Sequence, residues 1–375
     1  MAADATGCPL LVTATGATDG GIALPGFSGT GLGFGFELSG GVKGKLNAQT
    51  PCKGSHPDLI RSLRLLFCLC RHFLIILEST KFFFEKSFIE MTITYTEARQ
   101  EIQTRLTGLG ISLAQAQAES DWVLESLWHI GPEALYTTGD DRLSESEWAQ
   151  LQDFLYQRTV KRIPIQYLLH EAWFYGLKFY VNPYVLIPRP ETELLVEKAL
   201  TLIQPGMRIL DVGTGPGTIA LALSHQLGQS VSITAVDVSP EALQVARINQ
   251  KRLNTQVRLL PAGNLFDPVQ SEQFDLILSN PPYIDRALQS TLAPEVKDHE
   301  PHLALFPPQT EDAYYFYRKL AVEGKAHLNP NGHILMECGA GMGPDISQIF
   351  LQHGYTQVHT TRDYAGLDRI ITAAV

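Results

Sequence analysis

The sequence predicts an α/β protein in which a doubly wound, Rossmann-like domain follows a small all-helical one. Three observations carry this prediction. From Thr192 onward, apolar runs of strand length alternate with amphipathic stretches of helical period. Between the first strand and its helix sits a glycine cluster, Gly213, Gly215 and Gly217. From Thr94 to about Thr159, by contrast, apolar residues recur only three and four apart.

Residues 1–90 differ from everything after them. They hold Cys8, Cys52, Cys68 and Cys70 of the five cysteines, 13 of the 31 glycines and 9 of the 17 phenylalanines, yet no tryptophan or tyrosine. The apolar run "LRLLFCLCRHFLIIL" is broken by Arg64, Arg71 and His72, short of the roughly 20 apolar residues a membrane span needs. The opening "MAADATGCPLLVTATGATDGG" lacks the basic-then-apolar order of a secretory signal, and only weakly fits a transit peptide. "CLCRH" lacks zinc-ligand spacing and a second pair, so no metal is expected, and the lone later cysteine, Cys338, argues against a disulfide framework. Residues 1–90 are therefore expected to be a leader, either disordered or a non-native extension upstream of a true initiator at Met91. Of the 29 basic and 39 acidic residues the leader takes eight and seven, which leaves residues 91–375 at 21 against 32, a net charge of −11. A diffuse grip on nucleic acid or on an anionic membrane has little to work with there.

Residues 91–163 are expected to be the helical domain, with helices in "TYTEARQEIQTRLTGLG", "SLAQAQAESDWVLESLWHIG" and "SESEWAQLQDFLYQRTVKR". Ser144 with Glu147 three residues later makes a capping box that opens the third. Trp122, Leu124, Leu127, Trp128, Trp148, Leu151 and Leu155 supply its core. Residues 164–191 shift to short β-like runs punctuated by prolines, a hairpin linker. Residues 192–375 make the α/β domain, with strands expected at Arg208–Val212, Ser232–Val238, Val257–Leu260, Phe274–Ser279 and His333–Glu337. The closing "YTQVHTTRDYAGLDRIITAAV" reads as two strands around a Gly-containing loop, a final antiparallel hairpin.

"DVGTGPG", Asp211 to Gly217, lets backbone approach a ligand closely and leads into a helix start with free N–H groups. A dinucleotide fingerprint would place its third glycine at position 218, which is Thr218; the spacing here is Gly-x-Gly-x-Gly, the form that goes with a nucleotide methyl donor, S-adenosyl-L-methionine. Asp237, 22 residues after Gly215, ends the second strand where it can accept from both ribose hydroxyls, and Ser239 and Pro240 cap and start the next helix. Asn264 can accept from the adenine amino group and Leu265 can wall the ring, or both can belong to a simple turn.

"SNPPYI" ends the fourth strand, across the switch point from the glycine loop. A methyl on a sulfonium needs a nucleophile aligned behind it, and a conjugated NH2 nitrogen is a poor one because its lone pair is delocalised. Asn280 offers a side-chain carbonyl and Pro281 a main-chain carbonyl that strand pairing cannot use, so the two can accept both N–H bonds and fix the nitrogen. Pro282 stiffens the turn, and Tyr283 is expected to lie on the face of the planar substrate group.

With those residues in view, Tyr95 to Val375 resembles the glutamine methyltransferases that modify peptide chain release factors, the HemK/PrmC type. The marks are "LIPRPETELLVE" from Leu186, "DVGTGPG" from Asp211, "SNPPYI" from Ser279, "EVKDHEPHLAL" from Glu295 and "RDYAGLDRII" from Arg362. The resemblance implies a seven-stranded class I SAM-dependent methyltransferase domain behind a helical domain that helps dock the release factor. It implies methyl transfer from S-adenosyl-L-methionine to the glutamine amide nitrogen of that factor's Gly-Gly-Gln loop, a step in translation termination. Cofactor contacts would fall on Gly213, Thr214, Gly215, Pro216, Gly217, Asp237 and Asn280, and substrate contacts on Asn280, Pro281, Pro282 and Tyr283. Arg189 and Glu191 would close the site or form a structural salt bridge. The expectation is a cytoplasmic monomer without stable nucleic-acid or membrane binding. Departures are "FPPQTEDAYYFYR" at 306–318, where the family has a glycine-rich segment, Asn264 in place of an acid, and Met342 in place of a glutamine. The rival enzyme class is methylation of an exocyclic amine in DNA or RNA, which usually comes with a basic target-reading domain. A non-catalytic module of the same fold is the other.

Overall fold

The computed structural model describes residues 93–375 and three short strands nearer the N-terminus. The chain divides into two compact units, Met1–Met91 and Thr92–Val375. In the first, β1 (Ala14–Thr15), β2 (Leu32–Glu37) and β3 (Lys43–Ala48) pair antiparallel in the order β1-β3-β2. Apart from these strands, the expectation of a leader at 1–90 lies outside the described residues.

The second unit begins with α1 (Tyr95–Thr107), α2 (Leu113–Trp128), the one-turn α3 (Leu135–Thr138) and α4 (Glu145–Leu155), which continues into a π-helical turn at Tyr156–Val160. The capping box at Ser144 is formed: Ser144 Oγ accepts from the Glu147 N–H at 3.3 Å, and the Glu147 carboxylate accepts from the Ser144 N–H at 2.7 Å. Thr94 and Glu97 do the same for α1. The three- and four-residue spacing turns Ala98, Ile102, Leu106, Leu124, Leu151 and Leu155 into one buried core. Trp122, Leu127, Trp128 and Trp148 pack against it part-buried, the Trp128 indole N–H reaching Gln150 at 3.1 Å.

The linker contains the predicted hairpin, β4 (Ala172–Phe174) with β5 (Leu177–Phe179), but also a short helix, α5 (Ile165–Leu169). Five residues are too few to show a helical period against neighbouring apolar runs. Tertiary burial of Ile165 and Tyr167, with the Tyr167 hydroxyl donating to the Val185 carbonyl at 2.6 Å, selects the helix.

Seven strands build the main sheet: β6 (Arg208–Val212), β7 (Ser232–Val236), β8 (Arg258–Leu259), β9 (Phe274–Ser279), β10 (Leu328–Glu337), β11 (His359–Arg362) and β12 (Asp368–Ala374). Their order is β11-β12-β10-β9-β6-β7-β8, and β12 alone runs against its neighbours. Along β9, Leu276 and Leu278 join the core under α6 (Pro190–Leu202) and α7 (Thr218–Leu227), while Ile277 joins the opposite core with Leu320 of α10 (Tyr315–Ala326) and Ile346 of α11 (Gly343–Gln352). β7 stops two residues before the predicted end because the Val236 carbonyl accepts from both Gly213 and Thr214 N–H, and the chain then leaves the sheet. The reversal of strand order falls between β6 and β9, which pair with Val212 opposite Ser279. The glycine loop and the NPPY turn therefore leave the sheet side by side.

Two clamps fasten the parts N-terminal to the sheet, one from the helical part and one from the linker. Arg158, in the π turn, donates to buried Glu119 of α2 at 3.1 Å and to Glu295 of α9 (Pro294–His299) at 3.0 Å, and Arg162 reaches Glu295 at 2.8 Å. Buried Asn249, on α8 (Pro240–Arg252), accepts from the Tyr180 N–H at 2.6 Å and donates to the Tyr180 and Pro216 carbonyls at 2.9 Å, tying the linker to the glycine loop.

Candidate active site

A cavity of about 360 Å³ opens where β6, β7 and β9 end. Gly213, Gly215 and Gly217 all take positive φ, 77°, 55° and 89°, so only glycine makes this turn without strain. A Cβ on Gly213 or Gly215 would meet nothing within 4 Å, and both residues line the cavity with Thr214 and Pro216. Gly217 does not. It lies under the start of α7, where a Cβ would come within 2.7 Å of Leu221.

Asp237 faces the same cavity and holds the loop in shape. One carboxylate oxygen accepts from the Gly215 N–H at 2.8 Å and the other from the Ser239 N–H at 2.9 Å, which leaves the carboxylate acceptor capacity for a ligand. Burial pushes this carboxyl above its ordinary range, against the pull of those N–H donors. Asn264 and Leu265 line the cavity too, Leu265 with a positive φ of 43°. Beneath the loop Asp211 is fully buried; Thr214 donates to it at 2.6 Å and the Ala220 N–H at 3.3 Å, and burial raises its pKa to about 7.

Asn280, Pro281 and Pro282 form the facing wall. The Asn280 amide nitrogen donates to Thr192 Oγ1 at 3.1 Å, which leaves its carbonyl oxygen uncommitted among the described contacts. Thr192, near the start of α6, in turn donates to Glu337 Oε2 at 2.5 Å. Tyr283 is absent from the cavity wall. Its ring packs on the core beneath β10, and its hydroxyl donates to Glu337 Oε1 at 3.2 Å. Burial, then the Glu337 carboxylate, raises the Tyr283 pKa well above normal, so the hydroxyl keeps its proton. The aromatic side chains on the wall are Tyr184, Tyr315 and Phe316, the last two within the divergent 306–318 segment and its following helix.

Of the two residues expected to close the site, Arg189 lines the cavity and is also salt-bridged, to Glu300 at 2.5 Å; Glu300 accepts from the Ile187 N–H as well. Glu191 is exposed on the first turn of α6 and does not line this cavity. Sequence reasoning missed Thr192, Glu337 and Glu300. Their signals were present: Thr192 sits inside "RPETE", Glu337 is an acid closing an apolar strand, and Glu300 lies in "EVKDHEPH".

These residues fit a nucleoside methyl donor: open space over two glycines for close backbone approach, a carboxylate for a ribose, and an apolar side chain at Leu265 for a base.

The family model Methyltransferase small domain matches residues 190–296, and the PrmC N-terminal domain matches residues 97–169. The chain is similar to the release factor glutamine methyltransferase of Geobacter sulfurreducens, 38% identical over 256 residues that span 68% of this chain and 88% of that protein. The enzyme of that name from Gloeobacter violaceus is 38% identical, over 68% of this chain and 89% of that one. Among solved structures, the release factor-specific protein-(glutamine-N5) methyltransferase of Alicyclobacillus acidocaldarius matches 52% of this chain and 98% of its own, at 28% identity and a TM-score of 0.31.

Proposed function

The chain belongs to the release factor glutamine methyltransferase family, and we propose that it performs that family's reaction with Asn280 and Pro281 as the groups that hold the reacting nitrogen. The protein is a methyltransferase that uses S-adenosyl-L-methionine and acts on the side-chain amide nitrogen of a glutamine in a peptide chain release factor. The observation that carries the assignment is positional. Asn280 and Pro281 follow β9 directly, in register with the strand that delivers Gly213, and they line one cavity with Asp237.

S-adenosyl-L-methionine supplies, when bound, an electrophilic methyl group on a positively charged sulfur. Gly213 to Pro216 and Asp237 would hold its polar parts, with Asn264 and Leu265 at the base. The Asn280 side-chain carbonyl and the Pro281 main-chain carbonyl accept the two N–H bonds of the glutamine amide, which orients the nitrogen and favours the positive charge it develops. Once methylated, that nitrogen is acidic and loses its proton to water, so no buried base is needed. Tyr283 serves from behind the wall, through Glu337. The glutamine of the Gly-Gly-Gln loop is the proposed target, and a cytoplasmic monomer is the proposed state of the enzyme. No described helix is long and apolar enough to cross a membrane.

The test is incubation with a purified release factor and labelled methyl donor, then peptide mapping. Label is expected on the loop glutamine and lost when that glutamine is replaced. No label on the release factor, or label on added DNA or RNA in a parallel incubation, would overturn the assignment.

A further inference from the structure

We infer that Glu337 and Thr192 are positioning residues that decide which end of the Asn280 carboxamide faces the substrate, an inference that rests on the function proposed above. An amide side chain has two ends of nearly equal shape and opposite hydrogen-bonding character. With its oxygen toward the cavity, Asn280 accepts from an incoming NH2; turned over, it presents N–H to N–H and repels it. Nothing in Asn280 itself chooses.

The choice comes from a chain of one-proton groups. Glu337 closes β10 beside Asn280, since Met336 pairs with Ser279 in the parallel register. It is 1% exposed, and Thr192 is 4% exposed. A threonine hydroxyl has one proton, and here it goes to Glu337 Oε2 at 2.5 Å. Thr192 Oγ1 can then only accept, and the partner at 3.1 Å must be the Asn280 amide nitrogen. The carbonyl is thereby left for the substrate. A proton on Oε1 of Glu337 would go to the Tyr283 oxygen and leave Oε2 to accept from Thr192, so the polarity holds as long as Oε2 itself carries no proton. The Tyr283 hydroxyl, 3.2 Å from Oε1, holds the other side of the same carboxylate. One buried acid therefore grips both ends of the NPPY turn, Asn280 through Thr192 and Tyr283 directly.

Thr192→Val keeps the shape and removes the relay, whereas Thr192→Ser keeps the relay. Steady-state methylation of a release factor should show Thr192→Val lowering kcat by at least about tenfold, with KM and the affinity for S-adenosylhomocysteine by calorimetry within about twofold of wild type. Thr192→Ser should return kcat to within about threefold of wild type. Unchanged kcat in Thr192→Val, an equal loss in Thr192→Ser, or a loss borne by cofactor affinity would overturn the inference. Thermal unfolding checks that the valine variant folds; if it does not, Thr192→Ala is judged by the same criteria. Wild-type enzyme runs in the same assay, so its failure to methylate the release factor sinks the proposed function, whereas an active wild type with an unimpaired valine variant sinks only the relay.

Discussion

Asn280 can orient an NH2 group only while its carbonyl is free, and its amide nitrogen is already spent on Thr192. Asn280→Ala is expected to abolish methylation while cofactor binding stays detectable by calorimetry, since the glycine loop and Asp237 are untouched. Asp237→Ala should do the reverse. It removes the acceptor proposed for the ribose hydroxyls and loosens the loop it holds at Gly215, so cofactor affinity should fall by about 1.5–3 kcal/mol, roughly ten- to a hundredfold in Kd. At this scale the placement of Asn280, Pro281 and Asp237 around one cavity was legible because each is a residue type set at a strand end. The place of Tyr283 was not: the motif says an aromatic follows the prolines, but the side on which its ring lands depends on the apolar core beneath β10 and on Glu337, 54 residues away.

Elements were legible where they announce their own ends. The capping box at Ser144 was readable and is present, and Ser144→Ala should lower stability by about 1 kcal/mol in chemical denaturation. The glycine loop shows a finer division of labour than its spacing suggests. Gly213 and Gly215 line the cavity, while Gly217 serves the packing of α7 at a φ of 89°. Gly217→Ala is therefore expected to destabilise the fold by about 1–3 kcal/mol, seen as a lower midpoint of thermal unfolding. The helix α5 escaped notice because a single turn has no periodicity to read; its burial against the linker is a tertiary fact.

Across the whole molecule, the helical part is fastened by a charge that neither part could keep alone. Arg158 is buried between Glu119 of its own part and Glu295 from the segment after the NPPY turn. Arg158→Ala would leave Glu119 buried without its partner, and denaturation should show a loss of about 3–5 kcal/mol. The sheet carries a buried titratable group of its own in Asp211. Its pKa rises from 3.8 unfolded to about 7 folded, so the folded state binds more protons, and the contribution of this group to stability is full below about pH 4 and is lost as pH rises through about 7. Asp211→Asn has no such titration. The stability of wild type relative to that variant should therefore fall steadily across this pH window, as measured by urea unfolding.

By itself the sequence determined the strand-and-helix alternation, the reversal point that brings Gly213 beside Asn280, and the residue types that meet there. Those features follow from local period and turn chemistry, which a linear chain displays. Only the tertiary structure decided that Thr192 would meet Glu337, 145 residues on, and that Arg158 would meet Glu295, 137 residues on. The physical reason is that a buried polar group must find its partner within about 3 Å, wherever in the chain that partner lies, and no local pattern records which one the fold will bring.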